Sequence, residues 1–212
     1  MQLKRFRFVC ATRKEIATTT VRFRSYDSER QTIPDNATIC DAGRATSAAT
    51  TFFEPAEVGT SGQKYADGGL GANNPVDEVW AEAKDIWSPR QDNIGELVKC
   101  MVSIGTGHPK TTPIFDGHYK FLTETLVAIA TETEKTAEAF RRRHGEMFRA
   151  NRCFRLNVDQ GLQNVGFEEY LKVPEITSAT AYYLDSEDVV DKISSCADNL
   201  KAKECALVED FS

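Results

Sequence analysis

Two short apolar segments of this chain end in glycine-rich turns, and each turn leads into a helical pattern. Residues 65–67 run into residues 68–71 (Gly-Gly-Leu-Gly), which precede a helix that begins at Asn74-Pro75. Residues 97–104 run into Gly105-Thr-Gly107, and a long helical region follows. Strands that alternate with helices form a sheet with helices on its faces. This alternation therefore predicts an α/β fold.

Further strands extend the alternation. Phe6 and Phe8 alternate with Arg5 and Arg7 before the apolar residues 8–11, which predicts a strand with a buried end. Apolar and polar residues alternate in the segments 21–26 and 154–158, which predicts a strand in each. Because residues 97–104 are mostly apolar, we expect a central strand that is covered on both faces. All of these strands, together with residues 65–67, are expected to share one sheet.

Helices are predicted from cap residues and from apolar residues with a period of 3.6. They are expected at 38–49 with a cap at Asn36 or Thr38, from Pro75 to Trp87 on a face of the sheet, over 119–140 with one break, and after Pro174 and Ser186. The helix that begins at Pro75 is expected to bury Val76, Val79, Trp80, Ala83 and Trp87. The last helix is expected to bury Val190, Ile193, Ala197 and Leu200.

The composition excludes several classes of protein. The 212 residues suffice for one domain, and 41% hydrophobic with 27% charged residues is typical of a folded globular protein. Lys and Arg total 26 against 32 Asp and Glu, so the net charge is −6, which argues against a nucleic-acid partner. No apolar stretch approaches the roughly 20 residues that a transmembrane helix requires.

The cysteines and histidines lack the spacing of a metal site. The six cysteines are far apart and form no CxxC motif, and the three histidines are scattered. We therefore expect free thiols, no metal ion and a reducing compartment. The N-terminus has no apolar segment of signal-peptide length, so secretion is not predicted.

The glycine turns also lack the spacing of a nucleotide-binding loop. Lys110 and Asn74 stand where the third glycine of a GxGxxG motif would follow the two turns, and no GxxxxGK[ST] motif occurs. No nucleotide cofactor is therefore expected.

Asp67 is the main candidate for chemistry. It ends a predicted strand, and Gly68-Gly69 after it has no side chain to shield the carboxylate from a ligand or a neighbouring hydroxyl. The alternative is a structural aspartate that caps its own turn through Asx-type hydrogen bonds. The local pattern is compatible with both interpretations.

Four segments, taken in order, resemble the C-terminal half of patatin-like lipid acyl hydrolases, especially the fungal-type branch. They are residues 42–49 (Ala-Gly-Arg-Ala-Thr-Ser-Ala-Ala), 51–53, 65–76 and 102–107. The resemblance covers about residues 8–156. It implies that residues 1–212 are a partial patatin-like phospholipase domain, a three-layer α/β/α sandwich truncated at its N-terminus, with a C-terminal helical segment at 173–205.

The resemblance also implies roles for particular residues. In that family a serine and an aspartate form a catalytic dyad without histidine, metal or cofactor, and the aspartate belongs to an Asp-Gly-[Gly/Ala] motif. The matching catalytic position is Asp67, and the motif-supporting positions are Gly68, Gly69, Asn73, Asn74 and Arg44. Arg44 either holds a lipid phosphate or pairs with a carboxylate or carbonyls inside the fold.

The implied activity is hydrolysis of lipid acyl esters, of the phospholipase A or lysophospholipase type. A lipid or phospholipid surface is the implied partner, and the implied location is the cytoplasm, peripheral at membranes.

The nucleophile of that family is missing from this sequence. The family places its serine in a GxSxG turn and its oxyanion hole in a glycine-rich loop, and neither motif occurs here. The nearest sequence is Gly59-Thr-Ser61-Gly62, in which we interpret Ser61 as a turn residue. We therefore expect the downstream part of a catalytic domain, inactive by itself, with exposed apolar side chains beside Asp67 and along the first strand. The alternatives are a non-catalytic remnant with an interaction or regulatory role, and a truncated gene prediction.

Overall fold

The computed structural model of the chain describes residues 6–16, 19–27, 36–50, 52–87, 93–108, 118–163, 165 and 170–202, with the backbone alone described at 118–128, 130 and 170. The chain forms two compact units, residues 1–78 with 114–136 and residues 79–113 with 137–212. Both helices and strands are present, which confirms the α/β class.

The described residues form six strands and seven helices. The strands are β1 (Phe8–Arg13), β2 (Thr20–Arg24), β3 (Ala56–Val58), β4 (Gln63–Asp67), β5 (Met101–Ile104) and β6 (Cys153–Leu156). The helices are α1 (Ile39–Thr46), α2 (Gly69–Ala72), α3 (Val76–Trp87), α4 (His118–Arg143), α5 (Gly145–Arg149), α6 (Val173–Leu184) and α7 (Glu187–Lys201). Short 3-10 turns occupy Lys14–Ile16, Ile94–Glu96 and Tyr170–Lys172.

In the first unit β1 to β4 form an antiparallel sheet in the order β2-β1-β4-β3. Ala11 of β1 pairs with Val21 of β2 on one side and with Asp67 of β4 on the other. Because alternate residues of a strand share a face, this register puts Ala11, Val21 and Tyr65 on one face, where all three are buried. The strand pair predicted at the start of the chain is confirmed.

Helix α1 covers this buried face. Thr38 and Asp41 form a capping box, in which each side chain accepts a hydrogen bond from the backbone N–H of the other residue. Ala42 and Ala45 pack toward the sheet, and their small side chains let the helix approach the strands closely. The predicted helix is confirmed with Thr38 as its cap, although it ends at Thr46.

Other helical residues lie on the opposite face of the same sheet. Thr20 and Arg22 alternate with the buried residues of β2, and Arg22 forms an ion pair with Glu78 in the first turn of α3. Gly71 of α2 packs beside Thr20, since a Cβ atom added to this glycine would lie 2.9 Å from the Thr20 hydroxyl oxygen. Helical segments therefore flank both faces of the four-stranded sheet.

In the second unit β5 and β6 form a two-stranded parallel sheet, with Met101 opposite Cys153. Helices α5 and α7 contact β6. Phe140 near the end of α4 is buried against the edge of the Trp80 ring, with 5.7 Å between the ring centroids. The helices predicted after Pro174 and Ser186 are confirmed as α6 and α7.

The strands predicted at 8–11, 21–26 and 65–67 share one sheet, as expected, but the prediction that the strands at 97–104 and 154–158 belong to the same sheet is wrong. The strands of the described residues form two sheets, and β5 pairs only with β6 among them. The prediction that β5 is covered on both faces is also wrong, because Val102 is 40% exposed and Ile104 is 77% exposed. An apolar strand sequence favours burial, but it does not specify which partner strands or helices are available to cover it.

The buried faces of two helices also differ from the prediction. In α3 the buried residue of the second turn is Glu82, whereas Val79 and Trp87 are exposed. In α7 Val189 and Cys196 are buried, whereas Val190 is 50% exposed. Tertiary packing, and not the apolar period alone, therefore decides which side of each helix is buried.

The break expected within the long helical region is also absent at 118–143, because α4 is continuous and the turn at His144 separates it from α5.

Candidate functional site

Asp67 is fixed at the end of β4 by hydrogen bonds from two directions. Its backbone N–H donates to the Ala48 carbonyl oxygen at 2.9 Å, just after α1. Its carbonyl oxygen accepts a hydrogen bond from the Thr12 hydroxyl of β1 at 3.1 Å. The predicted position at a strand terminus is confirmed, and the backbone of Asp67 joins the end of β4 to both neighbouring segments.

The carboxylate of Asp67 is half-buried and oriented by the turn that follows it. The backbone N–H of Gly69, the first residue of α2, donates to Asp67 Oδ1 at 2.6 Å. This is the Asx-type hydrogen bond of a turn aspartate. A carboxylate offers about four acceptor positions, so one such bond also leaves it able to accept a proton from another group.

The two glycines after Asp67 occupy positions that have no room for a side chain. A Cβ atom on Gly68 would lie 2.2 Å from the Cys10 carbonyl oxygen, and one on Gly69 would lie 2.9 Å from Asp67 Oδ1. Close contact with β1 therefore requires the first glycine, and the hydrogen bond to the carboxylate requires that the second stay small. The Asp-Gly-Gly pattern has a direct physical cause here.

The small residues that end α1 pack against the same turn. Thr46 donates its hydroxyl to the Cys10 carbonyl oxygen at 2.6 Å, and its own carbonyl oxygen accepts the Gly68 N–H at 3.4 Å. Two of the segments that carry the family resemblance, residues 42–49 and 65–76, are thereby brought together.

Asn73 and Asn74 anchor the junction of α2 and α3 to α4. The Asn73 amide donates to the Thr133 hydroxyl at 2.7 Å, and the Asn74 amide donates to the Thr133 carbonyl oxygen at 3.3 Å. Asn74 is buried, and its Oδ1 accepts the Val76 N–H at 3.3 Å at the start of α3. Thr133 lies within the helix predicted over 119–140, but nothing in the sequence pattern indicated this anchoring role.

A cleft of about 150 Å³ lies beside this junction. Its lining residues are Gly69, Leu70, Gly71, Ala72, Asn73, Asn74, Asp77, Glu78, Ile129, Glu132, Thr133 and Thr136. Asp67 is not among them, and the volume is below the ~300–1,000 Å³ of typical small-molecule pockets. Within the described part of the chain, no group of three His, Cys, Asp or Glu side chains has the arrangement of a metal site.

Arg44 lies on the exposed side of α1, away from the interior position that one interpretation expected. Its charge contributes to lowering the pKa of the Asp41 carboxyl below the usual value, although the larger causes are the backbone and side-chain hydrogen bonds of Thr38. The carboxylate that Arg44 acts on is therefore a local one on the helix surface.

Ser61 lies in the turn that joins β3 to β4. The Gly62 N–H donates to the Gly59 carbonyl oxygen at 3.2 Å, and both glycines have positive φ. The interpretation as a turn serine is confirmed. Because a strand rises ~3.3 Å per residue, Ser61 is roughly 20 Å from Asp67 at the other end of β4.

The Gly105-Thr-Gly107 turn of the second unit is filled by a side chain of the protein. Asn157 Oδ1 accepts the Gly107 N–H at 2.7 Å and lies 2.2 Å from where a Cβ on Gly105 would be. Asn157 Nδ2 is also 3.3 Å from His108 Nε2. Asn157 lies within the strand predicted at 154–158 and directly follows β6, but nothing in the sequence pattern linked it to this turn.

Residues 1–80 match the family model of the patatin-like phospholipases. No curated protein matches the chain. No helix among the described residues is long and apolar enough to cross a membrane. The matched segment contains β1 to β4, α1, α2 and the turn at Asp67, so the chain is similar to patatin-like phospholipases over the residues that build this site.

Proposed function

We propose that this chain is the base-bearing part of a patatin-like lipid acyl hydrolase of the phospholipase A or lysophospholipase type, and that Asp67 is its catalytic base. The observation that carries the proposal is the orientation of the Asp67 carboxylate by the Gly69 N–H, inside the segment that matches the family. The requirement for glycine at position 68 supports the same assignment, because it keeps the turn pressed on β1.

In the proposed reaction Asp67 acts on a serine supplied by a GxSxG turn. A serine hydroxyl is a weak nucleophile until a base accepts its proton, and the oxyanion formed on acyl attack needs N–H donors. Asp67 accepts the serine proton while the serine oxygen bonds to the acyl carbon. The lipid alcohol then leaves with that proton, and water hydrolyses the acyl-serine. Gly68, Gly69, Asn73 and Asn74 are positioning residues for the carboxylate.

The 212 residues do not contain the GxSxG serine or the glycine-rich oxyanion loop, so the proposal includes that this polypeptide alone does not hydrolyse lipid esters. In a complete catalytic unit of this kind, loss of the nucleophile removes nearly all of the acceleration however well the base is placed. We propose that the missing parts complete a three-layer domain. The helical segments on both faces of the β1 to β4 sheet support that arrangement.

A cytoplasmic location with peripheral contact to a lipid surface belongs to the same proposal. Cys40, Cys100, Cys153 and Cys196 are free thiols, which supports a reducing compartment. Arg44 is exposed and is the candidate contact for a lipid phosphate.

The first test combines a fluorophosphonate probe, which labels activated serines, with hydrolysis assays on a short-chain ester and a phospholipid. We expect neither labelling nor hydrolysis with the purified 212-residue chain. The contradicting result is stoichiometric labelling together with hydrolysis that Asp67→Asn abolishes and Asp27→Asn preserves. It would show that a serine of this chain is the nucleophile, and it would overturn the proposed inactivity. Asp27 is a matched control because it is an exposed aspartate after β2.

The second test supplies the missing half in trans, as the upstream part of a related patatin-like domain. Recovery of hydrolysis that Asp67→Asn abolishes and Asp27→Asn preserves would support Asp67 as the base. If both halves fold and the mixture stays inert, the assignment of Asp67 is wrong.

A non-catalytic interaction module is the second candidate function. Phe53 is 66% exposed, and Phe52 and Leu70 are exposed as well. Phe52 and Phe53 donate their N–H groups to the carbonyl oxygen of Ala49, the residue after the Ala48 that binds Asp67. Exposed apolar residues beside Asp67 are expected under either function. Along the first strand Val9 is 37% exposed, as expected, whereas Cys10 and Ala11 are buried, so the expected exposure is wrong for these two. An inert mixture in the second test favours the module.

A further inference from the structure

Two cysteines of the second unit lie in direct contact. Cys100 immediately precedes β5, and Cys196 lies in the third turn of α7. Their sulfur atoms are 3.7 Å apart, and the Cys100 sulfur is also 4.0 Å from the Cys196 carbonyl oxygen. The contact joins residues that are 96 positions apart in the sequence, so it is made by the tertiary fold.

The geometry of the pair favours a covalent bond. A disulfide needs a sulfur–sulfur distance of about 2.05 Å, so the two sulfurs, which are already in contact, have to approach by roughly 1.7 Å to form the bond. Cys196 is buried and Cys100 is half-buried, so an oxidant from solvent reaches Cys100 first. Cys153 of β6 is a third buried thiol in this unit, and the described residues contain no three-ligand group that would make the cluster a metal site.

We propose that Cys100 and Cys196 are an oxidisable dithiol that closes to a disulfide under a peroxide and links the start of β5 to α7. In the first step the Cys100 thiolate attacks one peroxide oxygen and water leaves after protonation, which gives a sulfenic acid on Cys100. In the second step the Cys196 sulfur attacks the Cys100 sulfur, and the hydroxyl leaves as a second water. The two thiols together lose two protons and two electrons, and hydrogen peroxide takes up both and is reduced to two waters.

The pair is expected to react slowly with peroxide at neutral pH. Burial, assisted by the contact with Cys196, raises the pKa of Cys100 to about 11, so little thiolate is present. Because the thiolate is the nucleophile, the reaction with peroxide is slow at pH 7. A dithiol reductant is expected to reverse it.

The test uses the full chain exposed to hydrogen peroxide, followed by blocking of free thiols, digestion and mass spectrometry. We expect a crosslinked peptide that contains Cys100 and Cys196, a mass lower by about 2 Da, and loss of the crosslink after a dithiol reductant. The oxidised chain should also show a higher midpoint of thermal unfolding, since the bond closes a long loop. This test uses the unmodified sequence, so its result does not depend on whether a cysteine variant folds.

Variants separate this pair from the other cysteines. Cys100→Ser and Cys196→Ser should each abolish the crosslink and the shift in unfolding midpoint, while Cys40→Ser, an exposed cysteine on α1, should leave both unchanged. A crosslink between Cys100 and Cys153 in place of the Cys100–Cys196 crosslink, or oxidation of other cysteines while Cys100 and Cys196 stay reduced, would overturn the proposal.

Discussion

Gly68 packs directly on the carbonyl oxygen of Cys10, so closely that a Cβ atom on the glycine would lie 2.2 Å from that oxygen. The φ of Gly68 is −63°, which any residue adopts, so the position needs glycine for lack of space and not for backbone freedom. This contact presses the turn that carries Asp67 onto β1. A substitution at Gly68 therefore tests whether this contact holds the turn in place.

Gly68→Ala is expected to lower the free energy of unfolding by about 1–3 kcal/mol, the usual cost of overpacking. Gly43→Ala in α1 is the matched control, because nothing lies within 4 Å of the added Cβ. Alanine is the better helix former by about 0.5–1 kcal/mol, so the control variant should be more stable. Urea unfolding of the two variants measures both values, and equal effects would contradict the contact with Cys10.

Thr133→Val is expected to destabilise the first unit by about 1 kcal/mol, because it removes the hydroxyl that accepts a hydrogen bond from the Asn73 amide. Thr133→Ser keeps a hydroxyl and should retain most of that stability. Hydrogen exchange at α2 should be faster in the valine variant, since this anchor holds the junction of α2 and α3. Similar exchange in the valine and serine variants would show that the hydroxyl does not anchor α2.

Thr38→Ala is expected to cost about 1 kcal/mol, because it removes the cap of α1. Thr177→Ala in α6 is the control, since its exposed hydroxyl donates only to the Val173 carbonyl oxygen one turn earlier. Circular dichroism during urea unfolding compares the two. A control that loses as much stability as the cap variant would argue against a special role for Thr38.

The capping box also predicts a change in titration. Hydrogen bonds from Thr38 hold the pKa of Asp41 below its usual 3.8, so the charged form stabilises the box. This stabilisation is present above the unfolded-state pKa and is lost as pH falls through the lower folded-state pKa. NMR titration should find a higher Asp41 pKa in Thr38→Ala than in the parent chain. The Thr38 backbone N–H, the larger cause of the lowered pKa, is kept in this variant, so an unchanged pKa would show that the Thr38 hydroxyl does not contribute to it.

Stability is expected to fall in alkaline solution because of buried thiols. Burial raises the pKa of Cys153 from 9.0 to about 11, so the folded state binds more protons than the unfolded state between these pH values. This contribution is complete below about pH 9 and is lost as pH rises through about 11. Cys153→Ala should flatten the decline measured by unfolding at several pH values. Cys40→Ala, at an exposed position on α1, should show the same alkaline decline in stability as the parent chain.

Local signals explain why several elements were predictable. The cap at Thr38 depends on Asp41, only three residues away, and the start of α3 depends on Asn74 and the proline that follows it. The strand ends before Gly68 and Gly105 were visible because glycine interrupts an apolar run. Contacts within a few residues leave a pattern in the sequence, since the same short segment contains both partners.

The partners of each strand left no comparable pattern. Residues 97–104 are apolar enough for a central strand, yet β5 is limited to residues 101–104 and has β6 alone as a neighbour in the described part of the chain. The buried side of α7 was predicted around Val190, but packing buries Val189 and Cys196 instead. Strand pairing and side-chain burial depend on which surfaces the rest of the chain presents. The apolar period of a single segment does not specify those surfaces.

For the candidate site, the sequence by itself determined that Asp67 ends a strand and that the next two residues have no side chains. Only the tertiary structure decided what surrounds them. Cys10, Thr46 and Thr133 come from β1, α1 and α4, and each reaches the turn through a hydrogen bond or a close contact made far along the chain. The carboxylate gains its orientation from a neighbour two residues away, which a motif can encode. The contacts that hold its support in place join distant segments, and these exist only after the strands and helices have packed.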